Sequence, residues 1–573
     1  MDKHLVCNIL GEMALLLELA GENPFKVRAY ANAARLLENV NEDIGALVDE
    51  GRLTEIKGIG KNIADHVSEI LKTGSLEEHE DLKRMIPQSV IDMLSIAGLG
   101  PKRVRFLWRD IGIKTVGELE MACTRHLLAG KPGFGEKMEA NILAGIETIK
   151  KFAGKRLFAE GAAIAMDLLA EIRRWPETIR SEVCGSIRRR KETVADIDIL
   201  VSTDRPDVVM ARFVRLPGVE RVVQHGETKS EVILQSGVQC DLRAVSDSEF
   251  PFAEHHFTGS KEHNVAMRAL AKKAGMKLNE YGLFREGESK SLPCKDEAEI
   301  FGALKLSFIE PELRENMGEI EAAAEGGLPK LIEMGDLRGI IHMHTTYTDG
   351  RASAAKMAEA ALSLGYSWIA ITDHSQAVTV AGGMKPEDAL RQGMEIDELN
   401  AGFSNFRILK GIEVDILADG SLDFDDELLS GFDLVIAAVH SRFSMGEKEM
   451  TERIVQAISN PNVDILAHPT GRLLLAREPY AVDMTAVIEA AAEFRTAIEI
   501  NAHPQRLDLD WRLCKAAKER GVKIAISPDA HAPEALSDAA YGVGIARKGW
   551  LGKKDVLNCL EADELLKVLK LGN

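Results

Sequence analysis

The sequence predicts a multidomain chain in three successive styles: an all-α N-terminal part, an α/β middle, and a C-terminal α/β part of regularly alternating strands and helices. Three observations carry this. At 573 residues the chain exceeds what one hydrophobic core serves. A short glycine-containing unit recurs three times among the helical segments of residues 1 to about 150. From residue 336 onward apolar runs alternate with helical pattern in a βα rhythm, which suggests a barrel or a wound parallel sheet.

The bulk composition narrows the class. Hydrophobic residues make up 45% and charged residues 28%, as in ordinary soluble globular proteins. No apolar run approaches the ~18 residues of a membrane span, and the opening MDKHLVCNIL carries no signal-peptide pattern. Cys7, Cys123, Cys184, Cys240, Cys294, Cys514 and Cys559 are scattered without a CxxC pair. They read as reduced thiols, and the expected location is the cytoplasm. A net charge of −19 argues against a uniformly basic nucleic-acid coat. Basic residues nevertheless cluster locally, in Pro101-Lys-Arg-Val-Arg105 and Arg188-Arg-Arg-Lys191.

In the N-terminal part, apolar residues recur at helical spacing, as in Leu15, Leu16 and Leu19 or Leu36 and Leu37. The repeated unit reads Ile56-Lys-Gly-Ile-Gly60, Ile96-Ala-Gly-Leu-Gly100 and Lys131-Pro-Gly-Phe-Gly135, each followed by a helix-forming segment. An apolar residue between two glycines makes a tight hairpin that presents backbone N–H groups at a helix N-terminus, a sequence-independent phosphate clamp. Lys57, Lys61, Lys102, Arg103, Lys131 and Lys137 lie beside the hairpins. The candidate nucleic-acid contacts are therefore Gly58, Gly60, Lys61, Gly98, Gly100, Lys102, Arg103, Gly133 and Gly135.

Between about 155 and 315, strand candidates include Ile197–Val201, Val232–Leu234 and Val238–Leu242. Asp196 and Asp198 are two apart on a strand, so both carboxylates point to one face, and Asp241 joins them from the strand VQCDL. Three converging carboxylates suit two divalent cations in an in-line nucleotidyl transfer. Upstream, Gly185-Ser186 opens a turn whose N–H groups and hydroxyl can hold phosphate oxygens, and Arg188 and Arg189 follow. The polar stretch 317–335, with Gly326, Gly327 and Pro329, reads as a linker that is part helical.

In the C-terminal part, seven apolar runs in turn end in a polar residue. They end at His342 and His344 with Asp349 beyond, at Asp373-His374, Glu413, His440, His468, Asn501 and Asp529-Ala-His531. In a parallel barrel the C-terminal strand ends form one rim, so these residues gather around a common centre. Histidines with carboxylates suit Zn²⁺, Mn²⁺ or Fe²⁺ better than Mg²⁺ alone, and several such ions would serve phosphoester hydrolysis.

The order of hairpins, Gly-Ser, Asp-x-Asp and the segment His256-Phe-Thr-Gly-Ser-Lys-Glu-His-Asn-Val-Ala-Met-Arg268 resembles the family X DNA polymerases, the group containing DNA polymerase beta, from about residue 5 to 316. The resemblance implies a nucleotidyltransferase palm with a thumb, with Asp196, Asp198 and Asp241 holding Mg²⁺ or Mn²⁺ and Asp241 near the primer 3′ hydroxyl. It also implies Gly185, Ser186 and Arg189 at the triphosphate, Phe257 and Gly259 at the incoming sugar, and Asn264 and Arg268 on the minor-groove side. Residues 337–573 resemble the PHP (polymerase and histidinol phosphatase) family. This implies a distorted seven-stranded barrel in which His342, His344, Asp349, His374, Glu413, His440, His468, Asp529 and His531 hold three metals. Asp373, Asn501 and Arg506 would support them or contact substrate.

Together the resemblances divide the chain into a lyase-like helical domain (1–85), a fingers-like domain with two hairpins (86–150), the palm (151–250), the thumb (251–316), the linker (317–335) and the PHP domain (336–573). They imply a monomeric repair enzyme acting on gapped or nicked DNA with dNTPs, with 3′–5′ exonuclease and abasic-site endonuclease activities. Two residues depart from the family pattern. His256 stands where an aromatic residue flanks the sugar, and His66 where lyase members carry a nucleophilic lysine. Imidazole cannot form an imine, so deoxyribose-phosphate lyase activity is expected to be weak or absent unless Lys57 or Lys61 substitutes. The alternative, a small-molecule nucleotidyltransferase fused to a small-phosphoester phosphatase, leaves three phosphate-clamping hairpins with nothing to hold.

Overall fold

A computed structural model of the chain describes residues 3–38, 40, 42, 44–96 and 98–570. Ala97 of the second hairpin lies outside them. The chain forms two compact units, Met1–Ala153 and Gly154–Asn573.

The first unit is all helical among its described residues, from Lys3–Ala20 to Glu136–Phe152. Val6, Leu10, Met13 and Leu17 share one face of the first helix and are buried with Ile63, Val67, Leu107 and Ile142 in a single core. Each hairpin follows one local rule. The first glycine takes a positive φ, +108° at Gly58, +86° at Gly98 and +80° at Gly133. The second, Gly60, Gly100 or Gly135, is extended at the N-cap of the following helix, and no side chain caps it.

The second unit contains a five-stranded sheet of β1 (Arg180–Val183), β2 (Asp196–Ser202), β3 (Val219–His225), β4 (Lys229–Leu234) and β5 (Gln239–Val245), in the order β1-β2-β5-β4-β3. Only the β2–β5 pair is parallel. The three strand candidates fall on β2, β4 and β5; the edge strands β1 and β3 went unread. β3 is exposed along nearly its whole length, so it lacks the apolar alternation that marks a half-buried strand. A hairpin of β6 (Met276–Asn279) and β7 (Gly282–Arg285) follows. The stretch 317–335 contains the helix Glu319–Glu325, and Glu319, Ile320, Ala323, Leu331 and Ile332 in it are buried. It is packed structure and not a free tether.

The C-terminal part is a seven-stranded, all-parallel sheet with its strands in chain order: β8 (Gly339–Ile340), β9 (Trp368–Ile371), β10 (Arg407–Asp415), β11 (Leu434–Ala438), β12 (Ile465–Leu466), β13 (Ala497–Asn501) and β14 (Ile524–Ser527). Just past the first and last strands, Met343 and Ala530 form a parallel bridge, so the sheet curls into a nearly closed barrel. Trp368, Ala370, Leu409, Leu434, Ile436 and Ala525 form one core and alternate with Ile369, Ile371, Ile408, Ile412 and Val435 of another. Leu565 and Leu566 of the last helix complete the first core. Glu413 and Asp415 share the strand face of Leu409. No helix among the described residues is long and apolar enough to cross a membrane.

Candidate active sites

The β2 strand buries Ile197 and Ile199 and leaves Asp196 and Asp198 half-buried on the other face, and β5 does the same with Asp241. The parallel register sets Asp198 directly opposite Asp241. Burial, then the Asp196 and Asp241 carboxylates, push the Asp198 carboxyl up to about 6. This excess of negative charge suits a cation, and Lys229 Nζ already stands 2.8 Å from Asp241 Oδ2. Gly185, at φ +60°, lies against Asp198, whose Oδ2 fills the space that any Cβ placed there would need. Next to it the Ser186 hydroxyl is buried without a hydrogen-bond partner, as befits a group reserved for a ligand oxygen.

The two arginines after the turn part company. Arg188 is spent internally, on Glu297 at 2.7 Å, Glu254 at 3.0 Å and the Thr258 hydroxyl at 2.7 Å. Arg189 donates from Nε to Glu315 at 3.0 Å and from Nη1 to the Thr258 carbonyl at 2.7 Å. Its Nη2 has no hydrogen bond among the described residues. The segment 256–268 folds back on itself: the Asn264 amide donates to the His256 carbonyl at 2.6 Å and to the Gly259 carbonyl at 3.2 Å. The Phe257 ring lies under the Arg243 guanidinium at 4.5 Å. Arg268 lines a cavity of about 760 Å³ along the β6–β7 hairpin, away from the aspartates.

In the barrel mouth the nine histidine and carboxylate residues come together. Glu413 is at the centre: its carboxylate is 2.7 Å from His374 Nδ1, 3.1 Å from His468 Nε2 and 3.3 Å from both His342 Nε2 and His440 Nε2. Asp529 is 3.2 Å from His344 Nε2, and Asp349 is 3.4 Å from His531 Nε2. Three groups lie tightly enough to hold an ion: His344, Asp349, His374 and His531; His342, His344 and Asp529; His374, Glu413 and His440. His468 is in none of them but touches Glu413. The three aspartates of the sheet do not draw together to that spacing.

A metal fits these donors. His342 Nε2, His344 Nδ1, His374 Nδ1 and Glu413 Oε2 are buried and lack hydrogen-bond partners, which is costly unless an ion satisfies them. His342, His468 and Asp529 have φ of +66°, +25° and +53°, backbone strain of the kind that gathers at functional sites. Burial works against charge on His342, yet Glu499 and Glu413 outweigh it and raise its pKa. At His344 burial prevails and lowers the pKa.

Two carboxylates in this shell were not among the sequence candidates. Glu499 accepts from His342 Nδ1 at 2.5 Å and from the His468 backbone N–H at 2.6 Å. Asp415 is 3.1 Å from His440 Nδ1. Such carboxylates orient the ring and fix its tautomer. Period-two alternation marks both, since Asp415 shares a strand face with Glu413 and Glu499 with Asn501. Asn501 donates to Asp529 at 3.1 Å, and Arg506 approaches Asp529 at 3.6 Å. Asp373 instead accepts from the Thr345 backbone N–H and hydroxyl and from Gln392, pinning the loop that leads to Asp349.

In the first unit, His66 Nδ1 shares a 2.9 Å hydrogen bond with the Tyr30 hydroxyl, and Glu78 links Tyr30 to Lys26. At Gly60, Gly100 and Gly135 nothing lies within 4 Å of where a Cβ would stand, so a backbone phosphate has room to approach.

Comparison with known families agrees with this geometry. Helix-hairpin-helix models match residues 1–76 and 90–148, a DNA polymerase beta thumb model matches 253–315, and a PHP domain model matches 341–503. A DNA polymerase/3′-5′ exonuclease PolX of Bacillus subtilis (strain 168) is 39% identical over 574 residues, covering 100% of both chains. DNA polymerase lambda of Rattus norvegicus is 25% identical over 51% of this chain and 52% of its own. A probable phosphatase of Thermoanaerobacter sp. (strain X514) is 32% identical over 33% of this chain and 74% of its own. Relatedness along the entire length, through the hairpins, the aspartate sheet and the barrel alike, places the chain in the family X DNA polymerases that carry a C-terminal PHP domain.

Proposed function

We propose that the protein fills short gaps in damaged DNA with its aspartate sheet and trims or opens damaged strands with its barrel. The register that sets Asp198 opposite Asp241, beside the Gly185 turn, carries the reading. Asp196, Asp198 and Asp241 would hold two Mg²⁺ or Mn²⁺ ions. Ions bound there would activate the primer 3′ hydroxyl and stabilise the leaving pyrophosphate. The Ser186 hydroxyl and the Arg189 guanidinium bind the triphosphate, Phe257 and Gly259 flank the sugar, and Asn264 and Arg268 read the minor-groove side. His256 next to Phe257 leaves ribonucleotide discrimination to a ring smaller than a phenol. The hairpins grip the duplex through backbone N–H groups at Gly58, Gly60, Gly98, Gly100, Gly133 and Gly135, with Lys61, Lys102 and Arg103 on the phosphates.

The nine barrel ligands would hold three ions of the Zn²⁺, Mn²⁺ or Fe²⁺ kind. Bound there, such ions would polarise a phosphodiester and supply hydroxide for 3′–5′ exonuclease and abasic-site endonuclease chemistry. Arg506 stabilises the charge that develops on phosphate, and Glu499 and Asp415 keep the rings aimed. Changing Glu499 to Gln keeps its size but puts a donor where one of two bonds was accepted. Metal affinity of the barrel is then expected to fall about tenfold, read by competition with a chelator.

One experiment tests the whole reading: the protein, Mn²⁺ and a one-nucleotide-gapped duplex carrying a 5′ abasic residue. With dNTPs the primer should gain one nucleotide, and without them it should shorten from its 3′ end. Borohydride should trap little protein on the abasic end, because His66 offers no amine. A primer inert under both conditions refutes the function, and strong trapping refutes the lyase assignment.

A further inference from the structure

The segment that carries the proposed triphosphate contacts is braced along its length by the C-terminal domain. Lys548 ends the helix Ala539–Lys548 and is completely buried. Its ammonium donates to Glu315 at 2.6 Å, to the Arg189 carbonyl at 3.0 Å and to the Glu312 carbonyl at 3.2 Å. It also sits 4.4 Å from the centre of the Trp511 ring. Arg190 packs on the same helix, with its Cδ 3.4 Å from where a Gly544 Cβ would be. Glu192 is buried against the barrel: Trp511 Nε1 donates to it at 3.2 Å, and Arg472 and Arg512 approach it at 3.6 and 3.8 Å.

The bridge at the centre is Glu315, where Lys548 and Arg189 Nε share the oxygen Oε1. Burial opposes ionisation of Glu315, but Lys548 and Arg189 outweigh it and hold the carboxyl below its usual range. With Nε tied to Glu315 and Nη1 to the Thr258 carbonyl, the Arg189 guanidinium has one orientation, and that orientation leaves Nη2 to a ligand. Remove Lys548, and Glu315 keeps Arg189 as a donor but loses its second anchor on Oε1, while the Arg189 and Glu312 carbonyls lose theirs, so the guanidinium and the backbone that carries it are free to shift.

We propose that the C-terminal domain completes the polymerase's nucleotide site, with Lys548 a positioning residue that acts through Glu315 to aim Arg189 at the triphosphate. The proposal rests on the reading of Arg189 as a triphosphate contact. It assigns the barrel domain a part in a reaction that its own metal ligands do not perform.

The test is single-nucleotide incorporation by the full chain on a gapped duplex, with Lys548→Met, Arg189→Ala, Glu315→Gln and the double variants. Nuclease rate and thermal melting check folding. Lys548→Met should raise KM for the dNTP about tenfold, the weight of one charge-assisted hydrogen bond, with kcat and nuclease rate within about twofold. Added to Arg189→Ala, it should raise KM no further, because both act through one guanidinium. Independent, additive effects, or a wild-type KM in Lys548→Met while Arg189→Ala raises KM, overturn the proposal. An unchanged KM in Arg189→Ala overturns the reading of Arg189 itself. If Lys548→Met fails to fold, Glu315→Gln replaces it in the same cycle. A raised KM that does not add to Arg189→Ala then supports the proposal, and a wild-type KM overturns it.

Discussion

Asp198→Ala is expected to lower nucleotide incorporation about a thousandfold or more while 3′–5′ nuclease activity stays at the wild-type level. The loss is large because Asp198 stands opposite Asp241 in register and lines the Gly185 turn, so one deletion removes a donor and a wall of the phosphate pocket. A factor of a thousand is about 4 kcal/mol of barrier, within what a bound cation supplies. The same change should not destabilise the fold. A carboxyl raised from 3.8 to about 6 by burial and by its acidic neighbours weakens the folded state as pH rises through that interval. At pH 7.5 in chelator, where the carboxylate is ionised, the alanine variant should therefore melt no lower than wild type. Incorporation above about a tenth of wild type in this variant rejects the assignment of the triad.

His344→Ala should do the reverse. His344 belongs to two of the three tight donor groups, and its ring is stacked between those of His374 and His531 at 4.3 Å on each side. Losing it opens two ion positions at once, so nuclease activity should fall about a thousandfold and bound metal should drop, measured by elemental analysis. Gap filling should stay within about twofold, since the ring touches nothing in the aspartate sheet. Loss of both activities in either variant, with melting unchanged, would mean one shared site.

How much could be read without coordinates followed the range of the interactions involved. The hairpins were legible because φ at Gly58, Gly98 and Gly133 and the N-caps at Gly60, Gly100 and Gly135 depend on a few neighbouring residues. Asp196 and Asp198 were legible because strand alternation is local. The gathering of the nine barrel residues was legible for a different reason: seven apolar runs repeat one placement, and a parallel barrel turns that repetition into a rim. Edge strand β3 escaped because exposure on both faces erases the alternation. The stretch 317–335 resembled a linker because its glutamates are polar and its glycines break regular structure, yet Glu319 is buried against His263 at 2.6 Å.

The sequence by itself determined the domain styles, the glycine hairpins and both clusters of candidate cation donors, because each is written in residue type and local spacing. Only the tertiary structure separated Arg188, consumed by Glu254 and Glu297, from Arg189, whose Nη2 makes no hydrogen bond among the described residues. It alone brought Glu499 to His342, 157 residues away, and Lys548 to Arg189, 359 residues away. The physical reason is that a charged side chain takes its role from the partners that desolvate and neutralise it. Partners hundreds of residues distant leave no periodic trace in the chain.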